Sequence, residues 1–126
     1  MKIIIIDDEP LARSIIKEYL QYHPDLELIS ECNDGFEGLK AIQQMQPDLI
    51  FLDIRLPKID GWELCKMLKS EPRTQQIPIV MLTGCGQPVQ AEYGKYCGAD
   101  AYLTKPWDSK QLMDVTRRLL ARKTDD

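Results

Sequence analysis

The sequence predicts an α/β fold, a doubly wound parallel sheet with helices on both faces. Three observations predict it. Short, continuously apolar runs alternate with segments of helical period, β then α, five times along the chain. Most of those runs are β-branched and lack the polar alternation of a sheet open to water on one side. Three of the helical segments also open on an acidic cap, followed three residues later by Glu or Gln.

The elements follow in order. "KIIII" (Lys2–Ile6) is a strand covered on both faces. Pro10 then suits the first turn of a helix, whose apolar face is Ala12, Ile15, Ile16, Tyr19 and Leu20. "LELISEC" is the second strand. Asp34 and Glu37 form a capping pair ahead of a helix carrying Phe36, Leu39, Ile42 and Met45. "DLIFLD" is a third strand and, like the first, it ends in an acid. Asp60 and Glu63 repeat the cap before a helix with Leu64, Cys65 and Leu68 inside. "IPIVMLTG" is the fourth strand. Pro88 opens a shorter, weakly amphipathic helix to about Cys97, with Tyr93 and Tyr96 on it. "ADAYLTKP" is the fifth strand, and Asp108 with Gln111 caps a last helix whose face is Leu112, Val115, Thr116 and Leu119.

Composition narrows the classes. A chain of 126 residues is the size of one domain with a core of its own. A net charge of −4 and no long basic run argue against the domain itself gripping nucleic acid. No apolar segment is long enough to span a bilayer. Cys32, Cys65, Cys85 and Cys97 show no C-x-x-C spacing, which reads as reduced, mostly buried thiols of a cytoplasmic protein. The single histidine, His23, sits beside Pro24 and reads as an exposed turn residue.

In open parallel sheets, ligands bind beyond the carboxyl ends of the strands. The polar residues at those ends are Asp7 and Asp8, Asp53, Thr83 and Lys105. Each alone has an ordinary reading, as a helix cap or a turn. Together they form an apparatus. Three carboxylates at one edge repel one another and drive one to hold a proton unless a cation intervenes. Hard oxygen ligands without histidine or paired cysteines suit Mg²⁺, or alternatively Mn²⁺, and such an ion invites a phosphate oxygen. Lys105 adds a point charge and Thr83 a hydroxyl donor. A carboxylate nucleophile in that company suits phosphoryl transfer to an aspartate.

The motifs "DDEP", "DLIFLDIRLPKIDG", "MLTG" and "GADAYLTKP" resemble the receiver domains of two-component response regulators, over essentially the whole chain. The resemblance implies a flavodoxin-like (βα)5 fold with strand order 2-1-3-4-5. It implies Asp53 as phosphoacceptor, Asp8 as a direct Mg²⁺ ligand, Asp7 as a ligand mostly through water, and Arg55 as a ligand through its backbone carbonyl. Thr83 and Lys105 would contact the phosphoryl group. Tyr102 would be the aromatic switch residue partnering Thr83, Lys105–Pro106 a cis peptide bond, and Pro57 and Gly61 the shapers of the loop after the acceptor. The implied partners are a sensor histidine kinase or a histidine phosphotransfer protein. A further partner, or a second copy, would dock on the face built from the fourth helix, fifth strand and last helix, Pro88 to about Ala121. The receiver would span residues 1–122, with 123–126 a tail or the start of a linker. Gly84 and Trp107 depart modestly from the family pattern. Arg55 and Cys85 hold positions that affect phosphoryl loss in the family. The opening "IIIIDDEPLAR" is similar to regulators with LytTR-type DNA-binding domains, and "GADAYLTKPWD" less so.

Three other readings fit the fold. A haloacid-dehalogenase-like phosphohydrolase needs a second aspartate two residues after its nucleophile, where this chain has Arg55. A flavin module needs a hydroxyl- or glycine-rich loop after the first strand, where this chain has "DDEP". A pseudo-receiver would act only as a binding surface, yet every acceptor-site residue is present.

Overall fold

A computed structural model describes residues 1–84 and 98–124. The five strands are β1 (Lys2–Ile6), β2 (Glu27–Cys32), β3 (Leu49–Asp53), β4 (Ile79–Thr83) and β5 (Ala101–Thr104). They form one parallel sheet in the order β2-β1-β3-β4-β5. The helices among the described residues are α1 (Pro10–Leu20), α2 (Gly35–Met45), α3 (Gly61–Ser70) and α4 (Ser109–Thr124), the last helix of the sequence reading. The helix expected from Pro88 to Cys97, with Tyr93, Tyr96 and Cys85 near it, lies outside the described residues.

The isoleucine run shows why the sheet needs two helical layers. Successive strand side chains point to opposite faces. Ile4 and Ile6 therefore join Ile50, Leu52, Ile79 and Met81 on one face, under Ile42 of α2 and Leu64, Cys65 and Leu68 of α3. Ile3 and Ile5 join Leu49, Phe51, Val80 and Leu82 on the other, under Ile16 and Leu20 of α1 and Leu112, Leu119 and Leu120 of α4. All four isoleucines are fully buried, each worth roughly 1.5–3 kcal/mol relative to exposure.

The helix starts follow the caps. Asp34 accepts a 2.9 Å hydrogen bond from the Glu37 amide, and Asp60 one of 2.9 Å from the Glu63 amide. Asp108 and Gln111 complete a reciprocal box: the Gln111 amide donates to Asp108 at 2.7 Å, and the Asp108 amide to Gln111 Oε1 at 3.1 Å. At α2 the Glu37 carboxylate accepts instead from the Asn33 amide, one residue before the cap.

Three expectations are corrected. Phe36 and Met45 are exposed, because α2 approaches the sheet through Gly35, Gly38, Ala41 and Ile42. A Cβ on Gly38 would sit 3.0 Å from Ile6 Cγ1, so the buried stripe is the small-residue one. Ile15 is exposed as well, the buried face of α1 being Ala12, Ile16 and Leu20. His23 is half-buried, with its ring 5.1 Å from that of Tyr19. Cys32 and Cys65 are buried and outside any disulfide, as read from the sequence.

At the amino-terminal edge of the sheet, Lys69 closes the end of α3. Its ammonium donates to the carbonyls of Gln75 (3.1 Å) and Ile77 (2.9 Å) and to Asp100 Oδ2 at 2.8 Å. The same Asp100 oxygen accepts from the Ile79 amide at 2.8 Å. This joins the start of β4 to the start of β5.

Candidate functional site

The opposite, carboxyl edge holds the acids. β1 ends at Ile6 and β3 at Asp53, and the two strands are direct neighbours. Their pairing therefore sets Asp7 and Asp8 beside Asp53, and carboxylate oxygens of all three lie within 4.8 Å of one another. Asp7 has no exposed surface and Asp53 only 5%, while Asp8 faces solvent. Local bonds hold the loop. The Glu9 amide donates to Asp7 Oδ1 at 2.9 Å, the Asp7 amide to the Cys32 carbonyl at 2.9 Å, and Arg13 Nη1 to the Asp7 carbonyl at 2.6 Å.

Lys105 enters from the end of β5. Its amide donates to the Thr83 carbonyl at 2.7 Å, which extends the β4–β5 ladder to the lysine itself. Its ammonium lies 2.8 Å from Glu9 Oε1, 3.0 Å from Asp7 Oδ2 and 3.5 Å from Asp53 Oδ1. The Lys105–Pro106 peptide is cis.

The electrostatics follow from this packing. Burial pushes the Asp53 carboxyl up from 3.8 to about 7, the Asp7 charge adds to the push and Lys105 opposes it. Burial works against the Lys105 ammonium, but its bonds to Glu9 and Asp7 outweigh that and raise its pKa. A single lysine thus faces more negative charge than it can neutralise.

The loop after β3 shapes the remaining wall. The Gly61 amide donates to the Ile54 carbonyl at 2.8 Å, and a Cβ on Gly61 would collide with the Asp53 carbonyl. Lys58 takes a left-handed backbone, φ 72°, and its ammonium pairs with Asp34 at 3.6 Å. Asp8, Arg55, Asp60 and Trp62 border a shallow groove of about 480 Å³ beside the acids. A second cavity of about 530 Å³ lies between the carboxyl-terminal ends of α2 and α3, at the other edge of the sheet.

Of the predicted residues, the structure brings Asp7, Asp8, Asp53 and Lys105 into one cluster. Thr83 is buried at the end of β4, and its hydroxyl turns to β5, 3.3 Å from Thr104 Oγ1 and 3.5 Å from the Leu103 carbonyl. Arg55 is exposed beside the groove. Tyr102 is half-buried and packs on the core beneath α2 and α3. Glu9 and Arg13 were not assigned roles by sequence reasoning. The signal for Glu9 was available, as the third acid of a run that must face a strand-end lysine.

The sequence model described as "Response regulator receiver domain" matches residues 3–117. The chain belongs to this family. It is 40% identical over 127 residues to the DNA-binding dual master transcriptional regulator RpaA of Synechocystis sp., covering 98% of this chain and 50% of RpaA. It is 38% identical over 119 residues to the transcriptional regulatory protein BtsR of Escherichia coli, covering 94% of this chain and 48% of BtsR. The receiver domain thus spans about half the length of these relatives. In structure it resembles the REC domain of AraT, a response regulator from Geobacillus stearothermophilus, with TM-score 0.89 and 26% identity. That match covers 98% of this chain and 95% of the other. The strand order and motifs expected from the resemblance are those observed, and the chain is a signalling domain of the two-component type. Among the described residues no helix is long and apolar enough to cross a membrane.

Proposed function

We propose that this receiver domain accepts a phosphoryl group on Asp53 from the phosphohistidine of a sensor histidine kinase or histidine phosphotransfer protein, and passes the change to an output surface. The observation that carries this reading is the setting of Asp53. It is a nearly buried carboxylate at a strand end, crowded by Asp7 and Asp8 and reached by Lys105. An O–P bond forms at the Asp53 carboxylate as the P–N bond of the donor breaks, and the electron pair leaves on the imidazole nitrogen. Lys105 stands where its charge offsets that gathering on the phosphoryl oxygens. The domain serves this transfer to itself and turns over no separate substrate.

The donor set fits a hard divalent cation. It consists of carboxylate oxygens, with no histidine among them, and its negative charge exceeds what Lys105 balances. Asp8 and Asp53 would hold Mg²⁺, or Mn²⁺, directly, with the Arg55 carbonyl, and Asp7 would act mostly through water. When bound, the ion supplies charge neutralisation and orientation for the phosphoryl oxygens.

The phosphoryl group adds charge and acceptor oxygens at Asp53. Thr83 turns its hydroxyl toward one of them, and Tyr102 follows into the vacated space. The face expected from Pro88 to about Ala121, which includes β5 and α4, thereby changes its affinity for a partner or a second copy.

The test is phosphorylation by a small-molecule donor such as phosphoramidate with Mg²⁺, read by intact mass. The wild-type chain gains one phosphoryl group and Asp53→Asn gains none. Equal gain in Asp53→Asn removes the assignment.

A further inference from the structure

Thr83 and Thr104 are register partners on β4 and β5, so both side chains leave the sheet on one face at its carboxyl edge. The Thr83 hydroxyl has one proton to donate. Its acceptors among the described residues are both on β5: Thr104 Oγ1 at 3.3 Å and the Leu103 carbonyl at 3.5 Å. A phosphoryl oxygen on Asp53 would be another claimant for the same proton. The swing of Thr83 toward Asp53 therefore costs it a bond that β5 already satisfies.

We infer that Thr104 is a positioning residue that holds the Thr83 hydroxyl on β5 in the resting domain and so sets how readily it turns to the phosphoryl group. The inference rests on the reading of Asp53 as acceptor and assigns the opposing side of that equilibrium. Three features support it. Thr83 is buried, so its hydroxyl cannot take water as freely as an exposed one and values a protein partner more. Thr104 is exposed, so its own hydroxyl can be removed without stranding a buried polar group at position 104. The Lys105 amide is bonded to the Thr83 carbonyl at 2.7 Å, so the two strand ends stay in register and only the side chain need rotate. Thr104 acts through Thr83, the residue whose hydroxyl it meets at 3.3 Å.

The experiment titrates beryllofluoride, with Mg²⁺ present, into the wild-type chain and its variants. Intrinsic fluorescence is the readout, since Trp62 borders the groove shared with Asp8 and Arg55. Thr104→Val keeps the shape and removes the acceptor. It is expected to bind about threefold tighter, the low end of what one neutral hydrogen bond contributes. Thr104→Ser restores the hydroxyl and returns wild-type affinity, and Thr104→Ala repeats the valine result in a second background. In Thr83→Ala, adding Thr104→Val changes nothing, because the two positions act as one pair. Unchanged affinity in Thr104→Val and Thr104→Ala, or the same tightening without the Thr83 hydroxyl, overturns the inference while leaving Asp53 as acceptor. Failure of the wild-type chain to bind beryllofluoride overturns the acceptor reading itself.

Discussion

The Lys105 ammonium stands 3.0 Å from Oδ2 of Asp7, a carboxylate with no exposed surface. The pair joins the end of β5 to the end of β1 across the two strands between them. The lysine is held closer by Glu9 and Asp7 than by Asp53. The candidate acceptor is thus the loosest of its three partners and keeps its oxygens available.

Removing that lysine leaves a buried charge unmatched. Lys105→Met is expected to destabilise the metal-free domain by roughly 3 kcal/mol, as for other buried pairs broken on one side. Urea unfolding in the absence of divalent cations measures it. Added Mg²⁺ recovers part of the loss by supplying positive charge to the same acids. An unchanged urea midpoint would contradict the central place given to this pair.

Asp53 makes stability depend on pH in an unusual direction. Its carboxyl sits at about 7 when folded and at 3.8 as an ordinary carboxyl. Between those values the folded state holds a proton that the unfolded state has lost. Stability from this group is therefore present at low pH and falls as pH rises through about 7. Without metal, Asp53→Asn is expected to be more stable than wild type near pH 8, by roughly 2–4 kcal/mol. The gap closes toward about pH 4, where both forms of the site are uncharged at this position. Melting curves at several pH values decide it, and a gap that does not vary with pH would refute the shift.

Divalent cations should reverse that penalty. Mg²⁺ at about one hundred times its dissociation constant is expected to add roughly 3 kcal/mol to the wild type. Asp8→Ala loses most of that gain, and its metal-free form is no less stable, because one crowded charge has gone. The check is the melting temperature with and without millimolar Mg²⁺ in both proteins.

Gly61 tests the backbone under the acceptor. A Cβ there would lie 2.8 Å from Ile54 Cα and closer still to the Asp53 carbonyl. Both obstacles are main chain and cannot rotate away. Gly61→Ala is expected to cost about 1–3 kcal/mol, as overpacking does, and to slow phosphorylation by displacing Asp53. Wild-type stability together with wild-type phosphorylation would show that the loop yields freely.

Much of the fold was legible because its signals are local. The isoleucine run, the acidic caps at Asp34, Asp60 and Asp108, and the acids closing β1 and β3 each speak within a few residues. The helix faces were less legible. On α2, Phe36 and Met45 have helical spacing, yet Gly35 and Gly38 take the buried stripe, because close approach to Ile6 and Ile59 demands small residues. Apolar periodicity alone reads large side chains as the face and passes over glycine. The acids and Lys105 were placed from strand ends alone. What strand ends could not reveal was how the partners share their bonds: that Glu9 gives its carboxylate to Lys105 instead of capping α1, or that Thr83 rests on Thr104. Those choices depend on rotamers across neighbouring strands, which no one-dimensional pattern encodes.

The Lys69–Asp100 tie completes a contrast between the two ends of the sheet. At the carboxyl edge the charges are mismatched, and a substitution among Asp7, Asp8, Asp53 and Lys105 shifts the balance of all four. At the amino-terminal edge the Lys69 ammonium meets two carbonyls and a carboxylate, and that carboxylate also meets an amide. Each charge in that tie meets an opposite charge or a hydrogen-bonding partner. Heat tolerance can therefore be raised or lowered there, by the strength of one clasp, apart from the acids grouped at the other end. A lineage moving to a hotter or colder habitat could retune the first without rewriting the second.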